Sequence, residues 1–86
     1  MRVLLPAALT SLFPGSPPAL DLQGVTVADA IDALEARWPG MRDRLCDSTP
    51  RIRRHINVFV AGARATLGTE LPPDAEVVIL TAISGG

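Results

Sequence analysis

The residues best placed for chemistry stand at the end of the chain, in Ile83-Ser84-Gly85-Gly86. They offer a carboxylate carried on two residues without side chains. Lacking Cβ, two glycines fit a narrow slot and reach backbone angles closed to other residues. From Thr81 to Gly86 the chain is long enough, when extended, to hold that carboxylate about 20 Å from a folded body. Such an end suits delivery into another protein's active site. The competing reading is a glycine-rich terminus that simply frays. A Gly-Gly pair ends a chain by chance about once in 200 sequences, so the dipeptide alone decides little. Its position directly after an apolar strand carries the weight.

The other chemistry-bearing residues are weaker candidates. Cys46 is the sole cysteine, so no internal disulfide is possible. Cys46 follows Arg-Asp-Arg-Leu at the end of a helical segment, with no orienting acid or oxyanion donor in view, and reads as a passive, half-buried thiol. His55 has no cysteine or acid at ligand spacing, so no metal site is expected. Asp32 and Glu35 stand three apart on the polar side of a helix, without the apolar pocket that would split their pKa values. That acidic side is either solvated or a contact surface. Arg51-Ile-Arg-Arg-His55 is a local basic cluster, which is either a dock for an acidic partner or a solvated approach to the next strand. No catalytic residue set emerges.

Composition narrows the classes. Eighty-six residues with 48% apolar content make one small globular domain. A net charge of −1 exerts no pull toward nucleic acid or membrane, and the basic cluster lacks aromatic neighbours for nucleic-acid binding. No apolar window is long enough to span a bilayer. Pro6 and Pro14 sit badly in a signal peptide, so a cytoplasmic protein, monomeric on its own, is expected. All eight basic residues are arginine. Should the terminal carboxylate become activated, the chain has no lysine amine with which to trap itself.

The elements that must position these residues follow from periodicity. Arg2 to Leu5 is a strand cut by Pro6. The segment 6–14 is a loop or single turn, with Leu12 and Phe13 expected to tuck inward. Ala19 to Gln23 alternates Leu20 and Leu22 against Asp21 and Gln23, a short strand with one wet face. Thr26 to Trp38 is an amphipathic helix. Thr26 is its N-cap with Asp29 closing a capping box, Val27, Ala30, Ile31, Leu34 and Trp38 form its apolar stripe, and Pro39-Gly40 stops it. Met41 to Cys46 adds a short helical turn. Ile56 to Val60 is a strand, Ala61-Gly62 a hairpin turn and Ala63 to Thr66 its short return. After Pro72-Pro73-Asp74 comes the last strand, Val77-Val-Ile-Leu80.

One helix with one stripe to bury implies a two-layer α+β domain. Strand-strand-helix-strands is the β-grasp order, a mixed sheet on one main helix, with the first and last strands parallel and central. We place this domain at 1–80 and a flexible tail at 81–86. Val77 and Ile79 then face the helix, while Val78 and Leu80 face outward with Phe59. An apolar patch of Phe59, Val78 and Leu80 would lie beside the root of the tail as a partner surface, unless Leu12 and Phe13 fold over it.

Over its whole length the chain resembles the ubiquitin-like sulfur carriers, the MoaD and ThiS group, and especially the CysO-like carriers. The resemblance rests on the helix Thr26–Trp38, on Arg53-Arg-His-Ile-Asn-Val-Phe-Val-Ala-Gly62, on Leu71-Pro-Pro-Asp-Ala-Glu-Val77 and on Ile79-Leu-Thr-Ala-Ile-Ser-Gly-Gly86. Thr81-Ala82 stands where molybdopterin-synthase small subunits often carry Pro-Pro. The resemblance implies a protein co-substrate rather than an enzyme, with no bound cofactor. An E1-like adenylating enzyme would bind the patch, thread Ile83, Ser84 and Gly85, and use MgATP to adenylate Gly86. Sulfur would then displace AMP, and the resulting thiocarboxylate would supply a sulfur-accepting biosynthetic enzyme. Conjugation to proteins through Gly86 and a molybdopterin-synthase role are the alternatives.

Overall fold

The computed structural model describes residues 1–81 of the chain. Five strands and three helices follow in the order β1 (Arg2–Leu4), α1 (Ala7–Thr10), β2 (Ala19–Asp21), α2 (Val27–Arg37), α3 (Met41–Leu45), β3 (Ile56–Val60), β4 (Ala63–Arg64) and β5 (Glu76–Thr81). The sheet order is β2-β1-β5-β3-β4. β1 and β5 run parallel at its centre, and every other pair is antiparallel. This is the β-grasp arrangement expected from the order of elements. β5 continues through Thr81, which pairs with Ile56.

α2 forms where its local signals say it should. The Thr26 side chain accepts from the Asp29 backbone N–H, and the Asp29 carboxylate accepts from the Thr26 N–H, satisfying donors that a helix start otherwise orphans. Asp29 also accepts from Val25 N–H (2.9 Å), and these bonds hold its carboxyl below the usual carboxylate range. Val27, Ala30, Ile31 and Leu34 are buried against the sheet, and Trp38 packs at the edge of the core. Val3, Val58, Val77 and Ile79 meet them from the strands. Full burial of one such side chain is worth roughly 1.5–3 kcal/mol.

The polar side of α2 is more than a solvated face. Glu35 accepts from the N–H groups of Gly40 (3.1 Å) and Arg42 (2.9 Å), capping the start of α3. Those bonds, Arg42 first, depress its carboxyl. Asp32 pairs with the Arg42 guanidinium. The two carboxylates thus clamp α3 to α2 across the turn at Gly40, whose φ of 99° is left-handed.

The segment after β1 differs from expectation. α1 buries Leu9, leaves Leu12 51% exposed, and turns Phe13 toward Gly40. Leu12 is therefore not tucked inward. Both side chains border a concavity with Arg44 and His55, away from Val78 and Leu80. The single helical turn ends at Thr10 and places Leu9, not Leu12, in the position that faces the core.

Candidate functional site

β3 and β5 alternate in phase. Ile56, Val58 and Val60 point to the core with Val77 and Ile79. Their neighbours Phe59 and Val78 are half-buried on the opposite face, and Leu80 is 46% exposed there. Phe59 lies directly across from Val78, and Leu80 across from Asn57. The three residues expected to form an outward patch are thus together on one face. Leu12 and Phe13 do not line it.

The parallel register adds a residue that strand alternation alone did not flag. Leu4 pairs with Val78 and faces the same way, since Val3 beside it is fully buried. Leu4, Val78 and Phe59 therefore form a transverse apolar row across three strands. Leu4 could have been found by writing β1 parallel to β5 and aligning their buried positions. A shallow concavity of about 640 Å³ runs along this face, with the Ala61-Gly62 turn on one side and Pro72 and Asp74 on the other. Ala61 (φ 52°) and Gly62 (φ 80°) are both left-handed, as a two-residue hairpin turn of type I′ requires. Glycine meets that demand freely, and alanine does so at some steric cost.

β5 thus carries a partly exposed apolar row to Thr81, at the C-terminal edge of the patch. The residues expected to do chemistry, Ile83, Ser84, Gly85 and Gly86, lie outside the described residues. So does any test of the tail as a separate unit.

The weaker candidates resolve individually. Cys46 is buried rather than half-buried, and burial pushes its thiol up, away from a reactive thiolate. His55 is exposed. Among the described residues no cluster of histidine, cysteine and acids could hold a metal ion. Within the same residues no helix is long and apolar enough to cross a membrane. Asp32 and Glu35 are tied to α3, so they are structural anchors. The arginines at 51–54 form one wall of a groove on another part of the surface.

Comparisons with known proteins converge on this architecture. Over 68 residues the chain is 34% identical to small archaeal modifier protein 1 of Haloferax volcanii, covering 78% of each sequence. A chain of the Amycolatopsis orientalis BexX/CysO complex superposes with a TM-score of 0.87 at 29% identity, over 99% of this chain and 98% of that one. Mycobacterium tuberculosis CysO gives 0.84 at 26% identity, over 95% and 98%. The model of the ThiS family matches residues 3–86, a span that takes in all of the sheet but Arg2, the outward row and Gly85-Gly86. The chain belongs to the ThiS family, and is a small ubiquitin-like protein of the carrier and modifier kind.

Proposed function

We propose that the chain is a sulfur carrier whose Gly86 carboxylate is activated by a partner enzyme of the E1-like class. The observation that carries the proposal is the placement of β5. It leaves the centre of the sheet beside a partly exposed apolar row, and the chain reaches Gly85-Gly86 a few residues later. The partner docks on Leu4, Phe59, Val78 and Leu80 and receives Ile83, Ser84, Gly85 and Gly86 in its active site. MgATP belongs to that partner. One carboxylate oxygen of Gly86 attacks the α-phosphorus, pyrophosphate leaves, and an acyl-adenylate forms. A sulfide-level donor then adds to the acyl carbon, AMP departs with the oxygen, and a thiocarboxylate remains. Its soft sulfur is the nucleophile that an acceptor enzyme uses. This chain contributes an address and a reactive end, and the acid-base work is the partner's. The family match through Gly86 and the BexX/CysO complex of a relative support the reading.

Intact-mass spectrometry tests it. After incubation with its activating enzyme, ATP and sulfide, the protein should gain the mass of one oxygen replaced by one sulfur, localised to Gly86. An unchanged mass with a demonstrably active partner would contradict the proposal. A second reading draws on the modifier named among the relatives, in which the same activated Gly86 passes to lysine amines of other proteins. Branched peptides carrying a Gly86-derived remnant on lysine would favour that branch.

A further inference from the structure

A second depression lies at the other edge of the sheet. β4 is two residues long, so the pairing of β3 beyond Phe59 closes with Ala65 N–H donating to the Val58 carbonyl (2.7 Å). The chain then turns away through 66–68, while the segment 51–54 rises on the opposite side. The groove between them measures about 530 Å³. Its floor is apolar, formed by Ile52, Ile56, Val58 and Leu67, and its rim carries Arg51, Arg53, Arg54 and Arg64. Among the described residues no carboxylate lines it. Arg53 Nε donates to the Asp43 carbonyl (2.7 Å), and Arg64 donates to Asn57 Oδ1 (2.8 Å). These bonds orient the guanidinium groups without neutralising them. Among the described residues the one ion pair is Arg42 with Asp32, so none of the four rim arginines has an acidic partner there. A chain of net charge −1 therefore gathers four of its eight arginines around one apolar trough. Such clustering repels itself and favours an oppositely charged occupant.

We propose that this groove docks an acidic, leucine-rich segment of a partner protein, with carboxylates on the arginine rim and apolar side chains on the floor. A small anion would use the rim and leave the floor wet. Nucleic acid is disfavoured because Phe13, Trp38 and Phe59 all lie outside the groove, so it offers no base an aromatic platform. Ile56, at the groove, pairs with Thr81, so the trough opens where β5 ends. The partner would be held next to Thr81, at the edge of the sheet. Asn57 and Arg64 share the outward face with Leu80 and Phe59, so the groove straddles that edge and leaves Val78, nearer the centre of the sheet, free. The inference stands apart from any chemistry at Gly86, because peptide docking needs no activation.

A nitrogen-15-labelled full chain titrated with synthetic peptides provides the test. A peptide alternating glutamate and leucine should saturably shift the amides of Ile52, Ala65 and Leu67. Binding should weaken about tenfold in Arg51→Glu/Arg54→Glu, where both side chains are exposed, as expected for charge reversal at an interface. It should also weaken as salt rises from about 0.05 M to about 0.5 M. The milder Arg51→Gln/Arg54→Gln variant should lose affinity in the same direction with an unchanged melting curve. Four outcomes would overturn the proposal. They are no saturable shift, equal binding of the glutamine-leucine counterpart, tighter binding of an oligothymidylate of equal charge, and shifts centred on Val78 and Leu80.

Discussion

Val77 and Val78 are the same residue on the same strand, as Ile79 and Leu80 nearly are. Yet Val77 is 0% exposed and Ile79 1%, whereas Leu80 is 46% exposed and Val78 is only half-covered. The difference comes entirely from what covers each side. α2 lies across one face of the sheet, and the segment containing Leu12 and Phe13 packs near Gly40 instead of crossing to the other. Apolar character on the covered face stabilises the fold. On the open face it has less to stabilise, which suits the docking role proposed above.

The comparison can be broken most severely from the covered side. Ile79→Ala should cost about 3 kcal/mol, as truncation of a large buried aliphatic leaves a cavity that close-packed neighbours fill only partly. In a domain this small that is a large fraction of the whole stability, and urea denaturation should show the midpoint falling steeply. An unchanged midpoint would mean that the two faces do not differ in kind.

The open side should respond in the reverse sense. Leu80→Asp should shift stability by no more than about 0.5 kcal/mol, the usual range for exposed substitutions. The rate of activation by the partner should fall at least about tenfold, a loss of roughly 1.4 kcal/mol in docking. Two measurements on one sample, a melting curve and a single-turnover rate, separate these effects.

Smaller effects sharpen the covered side further. Thr26→Ala removes the N-cap acceptor of α2 and should cost about 1 kcal/mol, visible as a lower melting temperature with activation unaltered. Acidification acts in the same place. Asp29 and Glu35 both have depressed carboxyl pKa values. Their contribution is therefore complete above the ordinary carboxylate range. It declines as pH falls below about 4 toward their folded-state values. The melting temperature should drop there, and Glu35→Gln should flatten part of that slope. A steeper slope in the variant would contradict the sign.

Much of this was legible in the chain. The capping box of α2 is a four-residue signal, and Thr26 and Asp29 suffice to read it. The phase of β3 and β5 follows from alternation in Ile56–Val60 and Glu76–Thr81, which is why Phe59, Val78 and Leu80 could be grouped in advance. What was not legible depends on contacts between distant residues. Leu4 joins the row through the parallel register of β1 with β5, which alternation within either strand does not supply. Glu35 and Asp32 look like a solvated pair until the Gly40 turn brings Arg42 back to them. The groove at Arg51–Arg54 exists because β4 stops at Arg64, and nothing in Ala63-Arg-Ala-Thr66 announces so early an end. Leu12 stands exposed because α1 ends before it, a boundary that its apolar character does not reveal.

The most direct test sets the rate of sulfur incorporation at Gly86 in the unaltered protein beside that in Leu80→Asp and in Gly86→Ala, by intact mass over time with the same activating enzyme, ATP and sulfide. One sulfur per chain is expected in the unaltered protein, a strongly slowed gain in Leu80→Asp, and little or none in Gly86→Ala, with all three melting alike. Equal rates in all three, or no sulfur in any, would contradict the proposed carrier role.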